Sequence, residues 1–70
     1  MLIAIIGASG FIGNRIFHTL TRNISLNVVG TFFRHKLQPE FIYLDVTSKD
    51  LTEQFLVEFN PCLIFWIAGS

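Results

Sequence analysis

Gly7-Ala8-Ser9-Gly10-Phe11-Ile12-Gly13 decides how this chain reads, because it joins the apolar run Leu2-Ile3-Ala4-Ile5-Ile6 to a segment of helical periodicity. A buried strand must pass into a helix within these few residues, and glycine permits both the sharp turn and a close backbone approach to a phosphate. The free N–H groups that open the helix, from Ser9 through Phe11 and Ile12, then face any anion held there, and the helix dipole favours its charge. Gly7 would allow the turn, Gly10 would leave out the Cβ that blocks the phosphates, and Gly13 would let the helix pack closely on its strand. The plainer alternative is a Gly-rich strand-to-helix turn with no ligand.

Working outward, residues 2 to 6 are continuously apolar with three β-branched positions, the pattern of a parallel strand buried on both faces. From about Phe11 to Arg22, Ile12, Ile16 and Leu20 recur every four positions and Phe17 widens the stripe, so one amphipathic helix follows. Its His18 and Arg22 read as solvated helix residues. Leu26 to Phe33 gives a second strand, weakened at Gly30. The connection Arg34-His35-Lys36-Leu37-Gln38-Pro39-Glu40 is too short for the usual helical crossover, so a parallel third strand, Phe41 to Leu44, requires an extended loop over the sheet edge. Thr47 and Asp50 have capping-box spacing at the start of a second helix, whose Leu51, Phe55 and Phe59 share one face and whose end is marked by Asn60-Pro61. Leu63 to Ala68 is a fourth apolar strand.

The order strand, helix, strand, strand, helix, strand predicts an α/β fold over residues 1–70. It is the first half of a doubly wound Rossmann parallel sheet, with strand order 3-2-1-4 and one helix on each face. The fourth strand then lies at an edge. In a complete sheet of this kind a further helix and strand would cover it, so the sheet expected here is incomplete.

Composition limits the function classes. The chain is 51% hydrophobic and 14% charged, richer in apolar residues than an average soluble domain, which suggests part of something larger. Its formal net charge is zero, so nothing electrostatic points to nucleic acid or to an anionic membrane surface. A single cysteine, Cys62, excludes an internal disulfide and a multi-cysteine metal site and fits a reducing compartment. The apolar runs are too short for a signal-peptide core or a membrane helix, and the expected location is cytoplasmic.

Arg34 lies just past the second strand, where ligands of such sheets bind. In dinucleotide sites an acidic residue about 20 positions after the glycines pairs with the ribose hydroxyls of NAD, whereas an arginine accommodates the 2′-phosphate of NADP. This chain has no Asp or Glu between Gly7 and Gln38, which favours NADP over NAD. The alternative is that Arg34-His35-Lys36 is only a solvated basic turn.

The spacing G-x-x-G-x-x-G, followed by Gly30-Thr31-Phe32-Phe33-Arg34, Leu44-Asp45-Val46-Thr47 and Ala68-Gly69, resembles the extended branch of the short-chain dehydrogenase/reductase superfamily across the whole chain. The nearest group in this resemblance is that of dTDP-4-dehydrorhamnose reductase, including its regulatory relative in methionine adenosyltransferase, which shares the short basic connection after the second strand. The resemblance implies that Asp45 accepts a hydrogen bond from the adenine amino group, with the Val46 backbone alongside. Asp45 could equally belong only to the helix start. It also implies that Ala68 and Gly69 leave room for a ribose, although Trp66 and Ile67 stand where the family has Asn and Ala.

The implied activity is NADPH-dependent reduction of a nucleotide-sugar ketone. The catalytic Tyr-x-x-x-Lys of that superfamily is absent: the only tyrosine, Tyr43, is followed four positions later by Thr47. Three expectations stand together: the cofactor-binding piece of a reductase, a non-catalytic module that binds a nucleotide or a partner chain, and a non-functional remnant. The expected partners are a dinucleotide and either a missing C-terminal chain or a second copy associating through the fourth strand.

Overall fold

A computed structural model describes residues 1–67. The chain runs β1 (Leu2–Ile6), α1 (Phe11–Thr21), β2 (Asn27–Phe32), β3 (Ile42–Tyr43), α2 (Lys49–Phe59) and β4 (Leu63–Trp66). The strands form one sheet in the order β3-β2-β1-β4, and every pairing is parallel, as the sequence predicts. Ile5 sits between Gly30 of β2 and Phe65 of β4, so the strand that feeds the glycine turn is central in the sheet.

Side chains alternate across β1 and build a core on each face. Ala4 and Ile6 pack with Val29, Leu44 and Phe55 beneath α2, while Ile5 packs with Ala8, Phe17 and Phe41 beneath α1. The two helices therefore lie on opposite faces. Phe55 is 5% exposed, and burying a side chain of that size stabilises by about 1.5–3 kcal/mol. Ile12 and Leu51 depart from the helical stripes assigned to them: they are 59% and 40% exposed. Gly13 and Phe17 are the buried residues of α1 instead.

Both ends of α2 are set by local chemistry. Ser48, not Thr47, is the N-cap, and its hydroxyl accepts from Leu51 N at 3.3 Å. Thr47 is turned away because its own hydroxyl and N–H both donate to Asp45 Oδ1, at 2.6 and 3.0 Å. Asn60 closes the helix in the left-handed region, φ 44°, and Pro61 prevents its continuation.

The connection between β2 and β3 contains no helix, and it is held at two points. Phe41 is buried edge-to-face against Phe17, with centroids 4.8 Å apart. Gln38 Nε2 lies 3.1 Å from His18 Nε2 on α1. β3 is shorter than the expected strand, but Leu44 N still donates to Phe32 O at 2.9 Å and continues the ladder. β4 likewise extends through Ile67 N to Ile6 O, 2.9 Å. Among the described residues no helix is long and apolar enough to cross a membrane.

Candidate dinucleotide site

Gly7 leaves β1 with φ 92°, a conformation that side-chain-bearing residues rarely adopt, and this is what turns the chain toward α1. The turn is tied to the neighbouring strand. Gly7 N donates to Thr31 Oγ1 at 3.0 Å and Ala8 N donates to Thr31 O at 2.8 Å. Thr31 is 1% exposed, the one buried polar residue in a run of valine, glycine and phenylalanine.

The other two glycines of the turn serve different needs. A Cβ on Gly13 would collide with the Gly7 carbonyl and come within 3.0 Å of Ala8 Cα, so α1 can lie this close to the turn only with glycine there. At Gly10 the backbone is ordinary, φ −71°, and a Cβ would meet only Gly7 O at 3.5 Å, an ordinary contact. The fold itself leaves that position free. Gly10 is also the N-cap of α1 and offers no capping side chain, so the first N–H groups of the helix are not satisfied from there.

A cleft of about 510 Å³ opens over this turn, lined by Gly7, Ser9, Gly10, Phe11 and Ile12 on one side and by Phe32, Phe33, Arg34 and His35 on the other, with Ile67 at its β4 end. Ser9 Oγ is shut off from solvent and has no hydrogen-bond partner among the described residues. Asn14 Nδ2, further along α1, shares that condition but does not line the cleft. An adjoining pocket of about 210 Å³ shares Gly7, Phe32 and Phe33 with the first and is completed by Thr31, Leu44, Asp45, Val46 and Thr47. Phe33 is thus a wall between the two.

Of the residues singled out in the sequence, Gly7, Ser9, Gly10, Phe11, Ile12 and Arg34 meet at the larger cleft and Asp45 and Val46 at the smaller one. Gly13 sits behind the turn and lines neither. Ala68 and Gly69 lie outside the described residues. Asp45 also has a local task, since Oδ1 holds Thr47 and its carbonyl accepts from Ser48 N at 3.0 Å, shaping the entry to α2. The Arg34 guanidinium stands 5.8 Å from the Phe33 ring centroid, and no carboxylate pairs with it among the described residues. An open depression of about 560 Å³ outside α2 carries Asp50, Glu53 and Glu58 and is electrostatically wrong for an anion.

Thr31, Phe32, Phe33, His35, Leu44, Thr47 and Ile67 also line the two pockets, although the sequence motifs assign none of them an individual contact. For Thr31 a signal existed: it is the one polar side chain in the run Val28-Val29-Gly30-Thr31-Phe32-Phe33, and a polar group buried among apolar ones needs a partner.

Residues 3–70 match the model of the NAD dependent epimerase/dehydratase family. The chain belongs to that family. The match covers both the glycine turn and the strand ends that form the two pockets, and the epimerase/dehydratase family binds NAD(P). No curated protein matches the chain. The residues present suit such a cofactor on their own terms: a hydroxyl at Ser9 and a guanidinium at Arg34, neither with a hydrogen-bond or ion-pair partner among the described residues, and an open position at Gly10 all belong to one cleft.

Proposed function

We propose that this member of the epimerase/dehydratase family holds NADP(H) and serves the reduction of a nucleotide-sugar ketone of the dTDP-4-dehydrorhamnose reductase kind. The observation that carries the cofactor reading is Gly10. Neither backbone strain nor packing inside the protein calls for glycine there, whereas a pyrophosphate laid against the start of α1 does. Ser9 would donate its hydroxyl to a phosphate oxygen, and the N–H groups of Phe11 and Ile12 would face the same charge. The adenine would lie in the smaller pocket beside Asp45 and Val46, and Ala68 and Gly69 would border the ribose.

Arg34 supports NADP over NAD. Its planar guanidinium suits a phosphate, and the lining of the larger cleft contains no carboxylate to receive ribose hydroxyls. The bound nicotinamide supplies hydride chemistry. This chain's own residues bind and orient it; with no Tyr-x-x-x-Lys in the sequence, no general acid of that type is provided for a ketone oxygen.

The test is a titration of the purified chain with NADPH and NADH. Saturable binding of NADPH below about 1 mM supports the reading, and no saturation by either dinucleotide at that concentration overturns it. Arg34→Ala is expected to weaken NADPH tenfold or more, the order of a lost charge-assisted contact worth about 1.5–3 kcal/mol, with little change for NADH. Equal losses for the two would remove Arg34 from the phosphate.

A further inference from the structure

Phe33 follows β2 directly and lines both the cleft over the glycine turn and the adjoining pocket of about 210 Å³. It is 50% exposed, so half of a large apolar ring faces water at the boundary of the two. The ring is nevertheless well backed. Tyr43 lies 6.1 Å from it between centroids, inclined by 34°, and Phe32 meets Tyr43 edge-on at 5.8 Å and holds it in turn. The Arg34 guanidinium, 5.8 Å from the Phe33 centroid, stands near the outer limit of a cation–π contact and leaves the ring uncovered.

The smaller pocket has three polar side chains, Thr31, Asp45 and Thr47, and each is already engaged within the protein. Thr31 Oγ1 accepts from Gly7 N, and Thr47 Oγ1 donates to Asp45 Oδ1, which also accepts from Thr47 N. A carboxylate oxygen has two lone-pair sites, so Oδ1 is filled. These side chains shape the glycine turn and the entry to α2. What the pocket offers a ligand freely is apolar surface, that of Phe32, Phe33 and Val46.

We propose that the Phe33 ring is the platform on which the adenine of the dinucleotide stacks, and that this stacking, not a hydrogen bond from the adenine amino group to Asp45, carries most of the base's share of the affinity. The proposal rests on the dinucleotide reading above. Every base has a π-face, so an aromatic platform holds a base without reading its edge. A site built on a hydrogen bond to the amino group would instead reject a base that lacks it.

The experiment titrates the wild-type chain, Phe33→Ala and Phe33→Trp with NADPH and with its hypoxanthine analogue, in which a carbonyl replaces the amino group. Losing one base–aromatic stack is expected to weaken both ligands about tenfold in Phe33→Ala. Phe33→Trp is expected to bind at least as tightly as wild type, and the analogue to stay within about threefold of NADPH on every chain. Adenosine 2′,5′-bisphosphate, which has no nicotinamide, should quench the emission that Phe33→Trp adds to that of Trp66. Unchanged NADPH affinity in Phe33→Ala, an equal loss in Phe33→Trp, absence of that quenching, or an analogue bound about tenfold or more weakly by wild type overturns the proposal. Should Phe33→Ala melt below wild type, the analogue and the quenching decide the matter. If wild type still binds NADPH saturably and in dependence on Arg34 when the proposal fails, the cofactor reading survives. If no dinucleotide saturates wild type, both fall together.

Discussion

The hydroxyl of Thr31 accepts the N–H of Gly7 across 3.0 Å, so a side chain buried in β2 holds the first residue of the glycine turn. Replacing Thr31 with valine keeps the shape and removes the acceptor, leaving an amide with no partner. The expected loss is about 1–3 kcal/mol in urea unfolding, with Thr31→Ser recovering most of it. Equal stability of the Val and Ser variants would show that water satisfies Gly7 instead.

Gly10 and Gly13 should separate binding from folding. Gly13→Ala drives a methyl into the Gly7 carbonyl, a backbone atom that cannot step aside, and should cost about 1–3 kcal/mol or abolish folding. Gly10→Ala meets no such obstacle, so stability should stay within about 1 kcal/mol. Its NADPH affinity should nevertheless fall tenfold or more, about 1.4 kcal/mol. Circular dichroism melts and a cofactor titration on the same two samples decide the matter.

How far the sequence discloses this fold depends on the range of the forces involved. The strand order, the helix on each face and the left-handed stop at Asn60 follow from periodicity and local backbone chemistry, and all are present. The cap of α2 does not follow from spacing, because Thr47 and Ser48 are both capping residues; the Asp45 side chain captures Thr47 and leaves Ser48, the better capping type, at the helix start. Nor does Gly30 explain itself. In the sequence it is a weak point in a strand; in the fold, a Cβ there would stand 2.8 Å from both Ala8 Cβ and the Phe41 ring. Within the site, glycine spacing reveals the turn, but the division of Arg34, His35 and Lys36 into residues that face the cleft and one that does not depends on how a helix-free loop bends.

Gly30→Ala accordingly carries a specific expectation. The methyl must displace the Phe41 ring, which is wedged against Phe17, and the cost should be about 1–3 kcal/mol by chemical denaturation. Combining it with Phe41→Leu should cost less than the sum of the two single changes, because the smaller side chain vacates the space the methyl needs. Strict additivity would mean that the two positions do not compete.

β4 presents Leu63, Ile64 and Trp66 at 40–51% exposure, with no charge or proline to blunt its outer edge. The purified chain is therefore expected to self-associate at micromolar concentration. Ile64→Lys and Trp66→Lys together should shift sedimentation toward monomer while leaving far-UV circular dichroism unchanged. A sharp monomer peak for the unmodified chain would contradict this.

The pairing of Ile5 with Gly30 has one more consequence. Side chains alternate along a strand, so sliding β2 by a single residue against β1 would turn the Thr31 hydroxyl to the opposite face and carry Arg34 and His35 away from the turn they overlook. Alignment of two strands thus acts as a ruler for the distance between phosphate cradle and basic loop. Gly30 favours that alignment, since a Cβ at this position would stand 2.8 Å from the Phe41 ring. A residue that looks like a flaw in the strand keeps the ligand's two anchoring points in step.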